Sequence, residues 1–291
     1  MKKLLALLVS MVLVLSLAAC TTLEDAVKEA GKKGAANVSA PITFEETVVV
    51  DNDACVIKIT EIDPDAAFGF ALSVYLENKT ESTKLMFSVD NASTNGVTND
   101  PFFAASVEAG KKSNETITFS NGDLADIIGD FTDIALAFRV YDSEDWLADP
   151  VAEPAIHIYP YGEDKAVTYT RQSQETDTII VDNDKVTAII TGYEKDAIWG
   201  YVANIYLVNK TDTNVMFSAN DVSVNGFMCD PYFASTVNAN TCAFDQISWS
   251  DESFAENKID AVEEIELTLR AYDSENWLGD DFANEKITLH P

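Results

Sequence analysis

The chain has 291 residues, of which 47% are hydrophobic and 10% aromatic, and its 49 acidic against 19 basic residues give a net charge of −30. That length suits two domains of ordinary size, and the apolar and aromatic content excludes a disordered chain. With no basic patch to offset it, the charge excludes nucleic acid and anionic lipid headgroups as partners.

Residues 1–20 read as a leader rather than as part of the fold. Lys2 and Lys3 precede an apolar run from Leu4 to Ala19, which is the layout of a secretory signal peptide. The run is shorter than the roughly 20 residues that a transmembrane helix needs. Leu17-Ala18-Ala19-Cys20 resembles a bacterial lipobox. That resemblance implies cleavage before Cys20, acylation of Cys20, and attachment to the extracytoplasmic side of the cell membrane. Several acyl chains anchor far more firmly than one. Residues 21–40 are polar and rich in Ala, Gly and Lys, and read as a flexible spacer with a short helix at Leu23–Ala30.

The rest of the chain contains one pattern twice. VDND at 50–53 returns at 181–184, YLENKT at 75–80 as YLVNKT at 206–211, and MFS at 86–88 at 216–218. Asn95-Gly96 returns as Asn225-Gly226, DPFFA at 100–104 as DPYFA at 230–234, and RVYDSEDWLAD at 139–149 as RAYDSENWLGD at 270–280. The boundaries expected are a first repeat at 41–160, a linker at 161–165 and a second repeat at 166–291. So short a linker restricts the angle between the repeats.

Within each repeat the apolar period is two. Phe70, Leu72, Val74 and Leu76 share one face, answered by Tyr201, Ala203, Ile205 and Leu207. Ile134, Leu136, Phe138 and Val140 are answered by Ile265, Leu267, Leu269 and Ala271, and Ile117 and Phe119 by Ile247 and Trp249. One apolar face per strand predicts antiparallel sheets with one solvated side. Each Asn-Gly predicts a hairpin, because both residues tolerate positive φ. One short helix is expected per repeat, at Asn121–Asp130 and at Ser250–Asn257, with polar caps and Gly129 as a stop. The fold class is therefore all-β: two tandem immunoglobulin-like antiparallel β-sandwiches, each of about seven or eight strands with one short helix.

VDND, the aromatic-Gly pairs Phe68-Gly69 and Trp199-Gly200, YL-NKT, MFS, NG, DP and YDSE-W together resemble a domain of bacterial surface lipoproteins. Those proteins are similar to the telokin-like, immunoglobulin-like lipoprotein families, largely of unknown function. The resemblance covers nearly the whole of the chain expected after cleavage before Cys20. It implies fold and surface location, and carries no catalytic residues.

Candidate chemistry is sparse. His157 and His290 occupy non-equivalent positions, and no Ser-His-Asp, Cys-His or HExxH pattern accompanies them, so no enzyme activity, no catalytic residue and no cofactor is expected. Asp51, Asp53, Asp182 and Asp184 are calcium candidates, since calcium takes six to eight oxygens; the favoured alternative is an Asx turn bonded to its own backbone. Phe68, Trp146, Trp199 and Trp277 are ligand candidates for sugar stacking or a protein partner. The favoured alternative is that they plug the ends of the sandwiches, as do Phe102-Phe103 and Tyr232-Phe233. Asn78-Lys79-Thr80 and Asn209-Lys210-Thr211 read as turns rather than glycosylation sites. Besides Cys20 there are three cysteines. Cys55 reads as a small buried hydrophobe, while Cys229 and Cys242 can pair but have no cysteine counterparts in the first repeat. The function expected is a membrane-anchored, non-catalytic binding or adhesion module with a protein or glycan partner at the cell surface. The alternatives are a structural spacer of the envelope or a carbohydrate-active enzyme.

Overall fold

The structure is a computed structural model that describes residues 36–38, 40–120, 123–197 and 200–291. The leader, Cys20, most of the spacer with its expected helix, and Trp199 lie outside the described residues. The first repeat supplies β1 (Thr47–Asp51), β2 (Cys55–Ala66), β3 (Gly69–Asn78), β4 (Leu85–Thr94), β5 (Val97–Thr98), β6 (Ala104–Val107), β7 (Lys112–Ser120), α1 (Asp123–Ile128), β8 (Ile134–Asp142) and β9 (Ala155–Ile158). The second supplies β10 (Thr178–Asp182), β11 (Val186–Ala197), β12 (Gly200–Asn209), β13 (Val215–Val224), β14 (Phe227–Met228), β15 (Ala234–Val237), β16 (Cys242–Trp249), α2 (Asp251–Asn257), β17 (Ile265–Asp273) and β18 (Ala283–Leu289).

The expected all-β sandwich architecture is present, and both repeats use one strand order. In the first, β1-β2-β3-β7 form one sheet and β5-β4-β8-β9 the other, with β6 also paired to β4. In the second, β10-β11-β12-β16 face β14-β13-β17-β18, with β15 on β13. All pairings inside a repeat are antiparallel. Every residue assigned to an inward face by the period-two pattern is buried, with Leu72, Leu76, Ile117, Phe119, Ile134, Val140, Leu207, Ile247, Leu267 and Leu269 fully so. Burying each such large side chain contributes ~1.5–3 kcal/mol, and this term holds the two sheets of a repeat together.

The turns follow their local chemistry. Asn95 and Gly96 have φ of 52° and 77°, Asn225 and Gly226 of 51° and 80°, which is the hairpin geometry whose twist matches the strands. Asn95 does more than turn: its Oδ1 accepts from the N–H of Thr132 at 2.9 Å and of Asp133 at 3.1 Å. Asn225 does the same with Glu263 and Glu264. Each hairpin is thereby tied to the segment behind its helix. The Ser250 side chain caps α2 by accepting from Ser253 N–H, and Gly129, at φ 75°, follows α1. Ala36, at the end of the expected spacer, is docked there rather than free. Its N–H donates to Ile128 O and its carbonyl accepts from Asp130 N–H.

The repeats are joined by more than the chain between them. β16 pairs in parallel with β5 at Cys242 and Val97, so that β10–β12 and β16 continue the β5-β4-β8-β9 sheet into nine strands. Around that contact the Thr98 and Thr241 hydroxyls meet at 2.7 Å, Asn238 N–H donates to Thr98 Oγ1 at 3.0 Å, and Asn238 Nδ2 donates to Ala92 O at 2.8 Å. Residues 166–177 precede β10 and cover the outer face of β12 and β16. Tyr169 packs edge-on against Phe244, Arg171 lies over the Tyr206 ring, and Arg171 pairs with Asp177 through two bonds of 2.7 and 2.6 Å. Tyr206, an outward position by its period, is consequently buried.

Candidate functional site: the tryptophan turns

Three of the repeated motifs, far apart in the chain, meet at one end of each repeat. Asn52 Oδ1 accepts from Ala54 N–H at 2.9 Å and Cys55 N–H at 2.7 Å, and Asn183 Oδ1 from Lys185 and Val186 N–H, both at 2.8 Å. Both VDND segments are thus Asx turns. The lysines of the two NKT segments close over them. Lys79 donates to the Asp51 carboxylate and to Asn52 O, and Lys210 to Asp182 Oδ1 at 2.7 Å and Asn183 O at 2.6 Å. The hydrogen bonds from Lys210 and Thr187 hold the Asp182 carboxyl below the usual carboxylate range. The turn amides then reach sideways. Asn52 Nδ2 donates to Val151 O and Asn183 Nδ2 to Phe282 O, which ties VDND to the segment that follows YDSE-W.

That segment is braced in the same way in both repeats. Asp142 Oδ1 accepts from Glu144 N–H at 2.9 Å, and Asp273 Oδ1 from Glu275 N–H at 3.0 Å. Arg139 stacks on Tyr141 at 4.4 Å and donates to Trp146 O at 3.0 Å. Arg270 stacks on Tyr272 at 4.1 Å, donates to Trp277 O at 3.1 Å, and also pairs with Asp281 at 2.7 Å. Stacked on an aromatic ring and bonded to a carbonyl, each arginine is held rigid. Asp281 has no first-repeat counterpart, since Pro150 stands there.

The side chains these braces carry point outward. Trp146 is 66% and Trp277 61% exposed, and the following Leu147 and Leu278 are 75% and 79% exposed. The expectation that the tryptophans plug the sandwich ends is therefore overturned. The residues buried near that end are instead Leu85, Val107 and Val140 in the first repeat, and Val215, Val237 and Ala271 in the second. Phe68 is likewise exposed. The aromatic pairs after Asp-Pro divide: Phe103 is buried and Phe233 packs against the core, whereas Phe102 and Tyr232 are exposed.

The calcium candidates do not converge. Asp51 and Asp182 face lysines, the neighbouring amide oxygens are taken by backbone N–H groups, and Asp53 and Asp184 contribute no shared cage. Among the described residues no group of three or more His, Cys, Asp or Glu is placed to hold a metal. His157 bonds Asp133 at 2.7 Å, and His290 lies 3.4 Å from Glu263 O. Both sit at strand ends. Asn78 and Asn209 are fully buried and their amides donate to backbone carbonyls, so neither NKT is a glycan acceptor. Among the described residues, an open depression of about 310 Å³ lies beside Tyr75 and Lys58, and another of about 320 Å³ beside Phe282 and Asp280.

Cys229 and Cys242 are free and apart. Cys229 meets Ser253 Oγ at 2.9 Å, whereas Cys242 lies against Gly96 in the contact between repeats. Burial pushes the Cys55 thiol up to about 11 and also raises Cys242. At pH 8 both groups are thus protonated and poorly nucleophilic. Native protein treated with iodoacetamide at that pH is expected to leave Cys55 and Cys242 unlabelled by mass spectrometry, and urea-unfolded protein to label both. Prompt labelling of either in the native state would contradict their placement.

The arginine–tyrosine brace and the contact between repeats were not legible as functional elements in the sequence, although Arg-x-Tyr before each Asp-Ser-Glu was the available signal for the first. No family model and no curated protein matches the sequence. Among solved structures, the chain is similar to red sea bream transglutaminase, with 8% identity and a TM-score of 0.27 over 82% of this chain and 31% of that one. It is similar also to the YadV chaperone (12%, 0.25, 82% and 100%) and to Amycolatopsis orientalis exo-chitosanase CsxA (10%, 0.22, 79% and 26%). The chain spans about a third of the transglutaminase, and likenesses of this size carry no inference about activity or partners.

Proposed function

We propose that the chain is a lipid-anchored bacterial surface lipoprotein whose immunoglobulin-like repeats form a non-catalytic binding module. Cys20 carries the anchor, and the two tryptophan turns engage the partner. The observation that carries this reading is the pair of exposed Trp-Leu steps, at equivalent positions and on equivalent braces. Leaving a large apolar side chain in water forgoes ~1.5–3 kcal/mol of burial, and tryptophans on rigid supports are typical anchors of an interface. A spacer reading is favoured by one different observation, the joining of the repeats into one continuous sheet.

A photo-crosslinking amino acid placed at position 146 or 277 of the full chain on intact cells distinguishes them. Binding through the turns yields discrete crosslinked species from both positions and none from position 48, an exposed apolar site on an edge strand. Equal or absent crosslinking at all three would leave only the spacer. In the same cells Cys20→Ser is expected to move the protein from the membrane fraction to the medium or soluble fraction.

A further inference from the structure

Resting on that reading, we infer that the surface taken by each tryptophan turn belongs to a polypeptide bearing lysine or arginine beside apolar side chains. The argument is charge complementarity at a fixed apolar knob. Glu144 and Asp149 flank Trp146-Leu147, and Glu275 and Asp280 flank Trp277-Leu278. All four acids are exposed, and none has an ion pair among the described residues, unlike Asp51, Asp182 and Asp281.

The cation nearest in design, Arg139 or Arg270, is already stacked on tyrosine and bonded to the tryptophan carbonyl. It cannot neutralise the rim. An indole with carboxylates on either side attracts a cation twice over, through its ring face and through the flanking charges. The adjoining leucine demands apolar contact in the same footprint, which a bare polyamine cannot supply.

Other occupants fit less well. A second copy would bring an acidic rim against an acidic surface, with a net charge of −30 on each chain. An anionic membrane meets the same repulsion. A neutral glycan would stack on the indoles but would leave the four carboxylates without a role. Because the turn recurs, each chain has two such sites, and a partner that presents two footprints gains from their linkage.

The test uses the mature chain and a tryptophan-free synthetic peptide of alternating lysine and leucine, followed by calorimetry and tryptophan emission at 20 and 300 mM salt. The expected result is two peptides bound per chain with a blue shift of emission, and at least tenfold weaker binding at the higher salt. Trp146→Ala reduces the stoichiometry to one, and Trp146→Ala with Trp277→Ala abolishes it. Glu144→Gln, Asp149→Asn, Glu275→Gln and Asp280→Asn together weaken it at least fivefold while circular dichroism stays unchanged. A glutamate-leucine peptide and polylysine give no blue shift.

Unchanged binding by the double tryptophan variant, or by the four-site charge variant, overturns the inference. So does tryptophan-dependent binding of the glutamate-leucine peptide or of a neutral cell-wall glycan without binding of the basic peptide. In those last two cases the crosslinks at 146 and 277 remain and only the class of partner falls. Loss of the crosslinks as well removes the binding reading itself.

Discussion

Gly200→Ala is expected to unfold or severely destabilise the second repeat. Gly200 opens β12 with φ 109°, a conformation that residues with a Cβ rarely adopt. A Cβ there would lie 2.2 Å from Trp249 O and 3.0 Å from Asp251 N. Both are backbone atoms, and Tyr201 is paired with Trp249 in the ladder between β12 and β16. Neither strand can move aside without breaking the sheet or displacing the fully buried Trp249 side chain. Backbone strain of about 1–3 kcal/mol adds to that disruption, for a total on the order of 4 kcal/mol or more. Urea unfolding followed by Trp fluorescence reads the loss directly. Gly129→Ala makes a useful contrast. Its Cβ would meet Ala36 O at 2.0 Å, but Ala36 makes only an isolated bridge outside the named strands, so relieving the clash breaks no sheet ladder. A smaller loss is expected, below half that of Gly200→Ala. Equal losses would show that the clash is relieved by some other route.

Asn209→Ala is the second large effect. The Asn209 side chain is 1% exposed and stands where the end of β12 meets the turn before β13. Its Nδ2 donates to Thr213 O at 2.7 Å, Val237 O at 2.9 Å and Asn238 O at 3.0 Å. Its Oδ1 accepts from Thr211 N–H and from Thr211 Oγ1. Truncation strands buried carbonyls at roughly 1–3 kcal/mol each, and relaxation recovers part of that. The net loss is expected at about 3 kcal/mol, or roughly 6–12 °C in Tm for a chain of this size. Asn209→Asp keeps the volume but aims a carboxylate oxygen at three carbonyls, so it is expected to lose at least as much. If Asn209→Asp were neutral by calorimetry, packing rather than hydrogen bonding would be the role of this side chain. Asn78, equally buried with the same pattern toward Thr83 and Val107, is expected to behave alike in the first repeat. This is the physical meaning of the repeated Asn-Lys-Thr: the asparagine closes the sandwich end, and the lysine locks the Asx turn beside it.

Much of the fold was legible because its causes are local. Alternation in GFALSVYLEN places Phe70, Leu72, Val74 and Leu76 on one face whatever the rest of the chain does. Asn-Gly at 95–96 and 225–226 turns because of its own backbone freedom. The duplication added a control, since a pattern found twice is read with twice the signal. The same logic fails at the tryptophans. Recurrence at 146 and 277 argues for a structural demand, yet what structure demands there is the arginine, the tyrosine and the asparagine of the Asx turn, while the indoles they support stay in water. Exposure depends on how much space the facing sheet leaves, and no local pattern encodes that.

Cys242 stands where the first repeat has Lys112, and the contact between the repeats is the cause. Cys242 lies under Gly96, 146 residues away in the chain, where a lysine would bury an unpaired charge, whereas Lys112 is exposed on an open strand edge beside Glu77, where a charge guards against stray pairing. The strands, their inward faces, their turns and the duplication can all be read from the order of residues, because each rests on the conformational and solvation preferences of near neighbours. That β5 joins β16, that residues 166–177 cover Tyr206, and that Trp146 and Trp277 face solvent emerges from folding in three dimensions. Those outcomes rest on which surfaces come into contact, and contact between distant residues is set by packing volume and charge across the whole molecule.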